Sequence, residues 1–177
     1  MLKQDESNPI TLPLQYSLYV RVFKRYERQQ YTSFGTINLI DDFGNITDQY
    51  THSVSWSGDH IMSKHHNQNV VHKSQTYKGK DGPKLATLEW GHVCYSVDFN
   101  NNTFKVVVDG KLAFSHTIYT ENSTAKYDIK ENQRFELILG NYQTQQARMS
   151  QRTIGMYHGF NMYNGLLDEQ VMENITG

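Results

Sequence analysis

Little in this chain could staple it, kink it or carry it through a membrane. It has one cysteine in 177 residues, so no internal disulfide can form. Only three prolines interrupt the backbone. No run of about 18 apolar residues is present, the length at which a segment reads as a membrane-spanning helix. The N-terminal MLKQDESNPITL lacks the apolar stretch of a secretion signal, so no signal peptide is expected. Neither sign of charge dominates. Seventeen Lys and Arg stand against 18 Asp and Glu, a net charge of -1 with the signs interspersed. That excludes the basic field a general nucleic-acid surface requires.

Aromatic residues are plentiful. Twelve Tyr and eight Phe give a sheet-forming character to a chain whose hydrophobic fraction is only 37%. The length suits one domain with a core of its own. No fixed-period repeat or low-complexity linker divides it. Strand patterns dominate. In QYSLYVRVF, Tyr16, Leu18, Val20 and Val22 share one face, and Ser17, Tyr19, Arg21 and Phe23 share the other. YTSFGTINLI, QYTHSVSW, RFELILG and TIGMYHGFNMYN read as further strands. The polar KHHNQNVVHKSQTYKGKDGPKL reads as long loops with one or two short strands. WGHVCYSVDF, TFKVVV and KLAF form a strand series in which Asp109-Gly110 marks a tight hairpin. LLDEQVMENI is the one helical segment, with Asp168 placed to cap it. About ten strands and one short helix predict an all-β antiparallel sandwich.

The strand Trp90-x-His92-x-Cys94, a polar turn, an aromatic-Val strand and Val108-Asp109-Gly110-Lys111 resemble the laminin-G/pentraxin superfamily. Its members are concanavalin A-like jelly rolls. YSLYVRVF, LILGNYQ and GMYHGFNMYNGLLDEQVMENI extend the resemblance in order over residues 14 to 176. It implies a jelly-roll domain over residues 14–177, preceded by an N-terminal extension or edge strand at 1–13, and a chain that is a segment of a larger protein or a trimmed member. It also implies that the position partnering Cys94, a half-cystine in pentraxins, is Tyr19 here. Cys94 is then an inert thiol packed inside the sandwich, behaving as a small hydrophobe.

By the same resemblance, the pentraxin calcium loop falls on Asn141, Tyr142, Gln143, Thr144, Gln145 and Gln146, followed by Ala147 and Arg148. Amides are present, but no carboxylate is. Calcium held by neutral oxygens alone is weak, and Arg148 opposes it, so no cofactor or metal is expected. These loop residues remain candidates for binding a protein or glycan ligand. His60, His65, His66 and His72 could offer nitrogen ligands to zinc, but no Cys or acid anchors them, so a solvated loop is preferred. The acids in DIKEN and LDEQVME do not form the facing carboxylate pair of a glycosidase. Gly-x-Ser-x-Gly, phosphate-loop and dinucleotide-binding patterns are absent, so no catalytic residue is assigned.

Four Asn-x-Thr triplets, at Asn45, Asn101, Asn122 and Asn174, are candidate glycosylation sites. They favour an extracellular or cell-surface location, although a lone cysteine suits the cytoplasm equally well. Tyr26, Tyr31, Tyr77, Tyr119, Tyr142, Tyr157 and Tyr163 lie near turns, where they serve either recognition or the sandwich rim. The expectation is a non-catalytic extracellular recognition or adhesion module, with sandwich-edge loops for its ligand. The rivals are a calcium-dependent lectin and a glycan-active enzyme. Assembly into a homo-oligomer is left open.

Overall fold

A computed structural model of the chain describes residues 11–24, 32–56, 60–67, 70–78, 88–117, 129–130, 132–139, 141–142, 151–152 and 155–177. Its strands are β1 (Gln15–Lys24), β2 (Thr32–Ile40), β3 (Ile46–Trp56), β4 (His60–Asn67), β5 (Val70–Lys78) and β6 (Trp90–Asp98). They continue as β7 (Thr103–Val108), β8 (Lys111–Thr117), β9 (Arg134–Leu139), β10 (Asn141–Tyr142), β11 (Gln151–Arg152) and β12 (Gly155–Asn164). The helix α1 (Glu169–Thr176) follows. One five-stranded sheet runs β12-β1-β6-β7-β8, and a second runs β5-β4-β3-β2-β9. All the strand pairings are antiparallel.

The two large sheets close on one core. The first contributes Tyr16, Leu18, Val20 and Val22 of β1, Val93, Tyr95 and Val97 of β6, and Phe104, Val106 and Val108 of β7. Ile37 and Leu39 of β2 meet them from the second sheet, with Phe135 and Leu137 of β9 at the margin. The alternation read in β1 is therefore the inward face. Each such side chain, once buried, stabilises the fold by about 1.5–3 kcal/mol relative to exposure. Thr11 bridges Arg134, which continues the second sheet toward the N-terminus.

In the segment expected to hold one or two short strands among long loops, the described residues form β4 and β5, longer strands that pair with each other. His65 stands opposite His72, His66 opposite Val71, and His60 opposite Lys78. Strand β5 is a sheet edge beyond β4, remote from β2, whose Ile37 and Leu39 enter the core.

Helix α1 lies on the outer face of the first sheet. Asp168 caps it, its Oδ1 accepting from Val171 N at 2.9 Å. Met172 packs beneath it against Cys94 and Val107, with Tyr19, Leu112, Leu167 and Ile175 around them. Cys94 is thus fully buried, but between sheet and helix rather than between the two sheets. Val93 and Tyr95 point inward on either side of it, so strand alternation turns the sulfur outward. Tyr19 does stand directly across from Cys94 in the β1–β6 ladder, the position implied for the missing partner.

Candidate functional site

The outer face of the first sheet has two halves. Helix α1 covers one. The other begins where the side-chain ladder of β1 and β6 runs past the helix. Phe23 faces Trp90 there, and Arg21 faces His92. These residues come from the second face of QYSLYVRVF and from the alternation Trp90, His92, Cys94. Trp90 keeps 38% of its surface exposed. The Phe23 ring meets it edge-on with centroids 5.5 Å apart. The Arg21 guanidinium lies over the indole, its Cζ 5.1 Å from the ring centroid.

A bulge adds the third side. Across the β1–β12 ladder Val20 pairs with Phe160, but Arg21 pairs with His158, so Gly159 is an extra residue. Its φ of +66° is one a side chain would resist, and nothing lies within 4 Å of where a Cβ would stand. Glycine is therefore there for its backbone angle and not for space. The extra residue puts Phe160 against the core while His158 reaches the outer face. The His158 ring sits 6.1 Å from the Trp90 ring, edge to face. In an unbroken strand residues 158 and 160 would share one face.

Next to Trp90, Tyr19 Oη and His92 Nδ1 share a hydrogen bond of 2.7 Å. Burial pushes the Tyr19 phenol up, against the downward pull of Arg21, so it stays protonated. The His92 backbone N–H donates to Asp109 Oδ1 at 2.7 Å, and Asp109 N–H returns a bond to His92 O at 3.0 Å. Burial pushes the Asp109 carboxyl up, and the His92 N–H offsets part of that. This pair of bonds locks the β7–β8 turn to β6 and holds the edge of the platform in place. What results is a shallow surface of aromatic faces and edges, one guanidinium and two imidazoles.

The loop candidates fare differently. Asn141 and Tyr142 form β10, paired with Arg152 and Gln151 of β11. Gln143, Thr144, Gln145 and Gln146 lie outside the described residues, as does Asn122. Asn45 and Asn101 sit exposed in turns, their side-chain amides donating to Asp41 at 3.1 Å and Asp98 at 2.7 Å. Asn174 is exposed on α1, but the hydroxyl of its sequon partner Thr176 is buried, donating to Met172 O at 2.8 Å. Of the turn-proximal tyrosines, only Tyr163 has a described side chain, and it is half-buried. Among the described residues no three His, Cys, Asp or Glu could hold a metal together. Among them, too, no helix is long and apolar enough to cross a membrane.

Sequence reasoning missed the platform. It singled out Trp90 and His92 as marks of a strand rather than as a surface. The signal was available: both alternating strands carried polar and aromatic residues on their non-core face. What it lacked was the register setting Phe23 against Trp90, and the bulge that delivers His158.

No family model matches the chain, and no curated protein matches it by sequence. Solved structures do. A native heptameric SAP-like pentraxin from Limulus polyphemus superposes with a TM-score of 0.62 at 13% identity, covering 94% of this chain and 72% of that one. The CBM40 of Ruminococcus gnavus IT-sialidase, bound to α2,3 sialyllactose, gives 0.59 at 12%, covering 92% and 83%. Domain 4 of AbnA, a GH43 extracellular arabinanase from Geobacillus stearothermophilus, in complex with arabinotriose, gives 0.54 at 19%, covering 96% and 72%. The chain is an antiparallel β-sandwich with the concanavalin A-like jelly-roll fold these proteins share.

Proposed function

We propose that this protein is a non-catalytic glycan-binding module that works outside the cell and needs no metal. The observation that carries the reading is the exposed Trp90 ring, held by Phe23, Arg21 and His158 on a rigid sheet. The C–H face of a pyranose is weakly positive and packs on the negative face of an indole, while ring edges and N–H groups take its hydroxyls. A platform on strands needs little ordering when a ligand arrives, so less of the contact energy is lost. Two of the structures with this fold hold saccharides, sialyllactose and arabinotriose, which supports the ligand class. The stretch from Asn141 to Gln146 is proposed as a secondary contact; its first two residues form β10, which follows β9.

The test is a glycan array probed with the protein and with Trp90→Ala, followed by calorimetry on any positive saccharide. Binding of at least one glycan is expected, weakened about tenfold or more by Trp90→Ala, the loss of one well-packed aromatic contact. Chelator should leave it unchanged, and the bound saccharide should be recovered intact. Equal binding by Trp90→Ala, loss of binding in chelator, or cleavage of the glycan would each overturn the reading.

A further inference from the structure

The platform has one formal cation whose charge no described neighbour answers. Arg21 makes no ion pair among the described residues, where Lys105 with Glu169 supplies the pair at 3.4 Å. Its Nε is buried without a hydrogen-bond partner among the described residues. The guanidinium is also fixed in direction, because it lies on Trp90. A planar fork held over an indole is an arrangement that can take a carboxylate.

We infer that the glycan bound on this platform is acidic: a sugar whose ring carboxylate meets Arg21 while its C–H face packs on Trp90. The inference rests on the glycan-binding reading above and narrows its ligand class. The surrounding charges set where the anion sits. Glu89 directly precedes Trp90 and lies close enough to Asp109 to help raise its carboxyl, so an anion placed on that side would be repelled. His158 stands opposite Arg21 in the β1–β12 ladder, on the side away from His92, and is exposed. Its imidazole offers an N–H in either tautomer. The carboxylate therefore belongs between Arg21 and His158.

The experiment measures affinity for oligogalacturonate, a glucuronate-containing oligosaccharide and sialyllactose, each beside its own methyl ester. The ester keeps the ring and removes only the charge. At least one acid should bind about tenfold or more tightly than its ester, the scale of one charge-assisted bidentate contact. Arg21→Gln should bring that ratio close to one, and Arg21→Lys should restore part of it. If acid and ester bind wild type alike while Trp90→Ala abolishes both, the platform stands and its acid preference is overturned. If neither form of any sugar binds wild type, and neutral glycans do not bind either, both readings fall. The ester comparison uses the unaltered protein, so it decides the question even if an Arg21 variant fails to fold.

Discussion

Cys94 owes its inertness to its surroundings. Desolvation between β6 and α1 pushes its thiol up to about 12, so almost no thiolate exists near neutral pH. In the folded protein, alkylation at pH 8 should run about a thousandfold or more slower than in denaturant, as the scarcity of thiolate requires. Rapid labelling of native protein would show the site to be open. Cys94→Ala should cost about 1 kcal/mol, a small cavity under Met172, and leave ligand binding unchanged. The cysteine's burial was legible in the sequence from its place in a β-rich strand and its missing partner. Its direction was not, because the residues that cover it come from a helix some 75 positions later. Asp98 is the second residue whose chemistry the fold sets. Burial alone would raise its carboxyl, but hydrogen bonds from Asn101, Gln15 and Asn100 outweigh it and hold it below the usual range. Its ionised form therefore stabilises the fold above the unfolded value of about 4, and that contribution is lost as pH falls through the lower folded value. Asp98→Asn should flatten the acid end of the stability–pH curve. An unchanged curve would show that the carboxylate contributes nothing.

At the scale of elements, the last helix and the β7–β8 turn hold each other. Asp109 and Gly110 take φ of 45° and 71°, the two left-handed positions an Asp-Gly hairpin turn needs. Gly110 N–H donates to Thr176 Oγ1 at 2.9 Å, and a Cβ on Gly110 would stand 3.0 Å from Gly177 Cα. Ser17 ties the other end, its hydroxyl donating to Gly165 O at 3.3 Å and accepting from Leu167 N at 2.9 Å. Gly110→Ala should destabilise by about 1–2 kcal/mol from the left-handed backbone, besides the close approach. Thr176→Val, which takes the hydroxyl from Gly110 N, Met172 O and Glu173 O, should cost about 1–3 kcal/mol. Denaturant midpoints check both. If neither moves, α1 is not held by this turn. Turn chemistry and helix capping are local, so Asp109-Gly110 and Asp168 could be read directly from sequence. The extent of β4 and β5 could not, because polar residues dominate their sequence and leave no regular two-residue alternation.

For the whole molecule, the sandwich came through the sequence because two-residue alternation records which face meets the core. The site did not. It depends on cross-strand register and on a one-residue bulge at Gly159, and neither leaves a periodic trace. The jelly roll itself decides only where a surface can be built. Its rigid outer face, half covered by α1, leaves Trp90 in the open half between Phe23 and His158. The chain has two tryptophans, so in Trp56→Phe, with excitation at wavelengths tyrosine does not absorb, only Trp90 emits. The most direct measurement is a fluorescence titration of that variant with a glycan shown by calorimetry to bind. The emission of Trp90 should change in intensity or wavelength and saturate at the calorimetric affinity. Saturating binding with no change in that emission would contradict the account and place the ligand elsewhere.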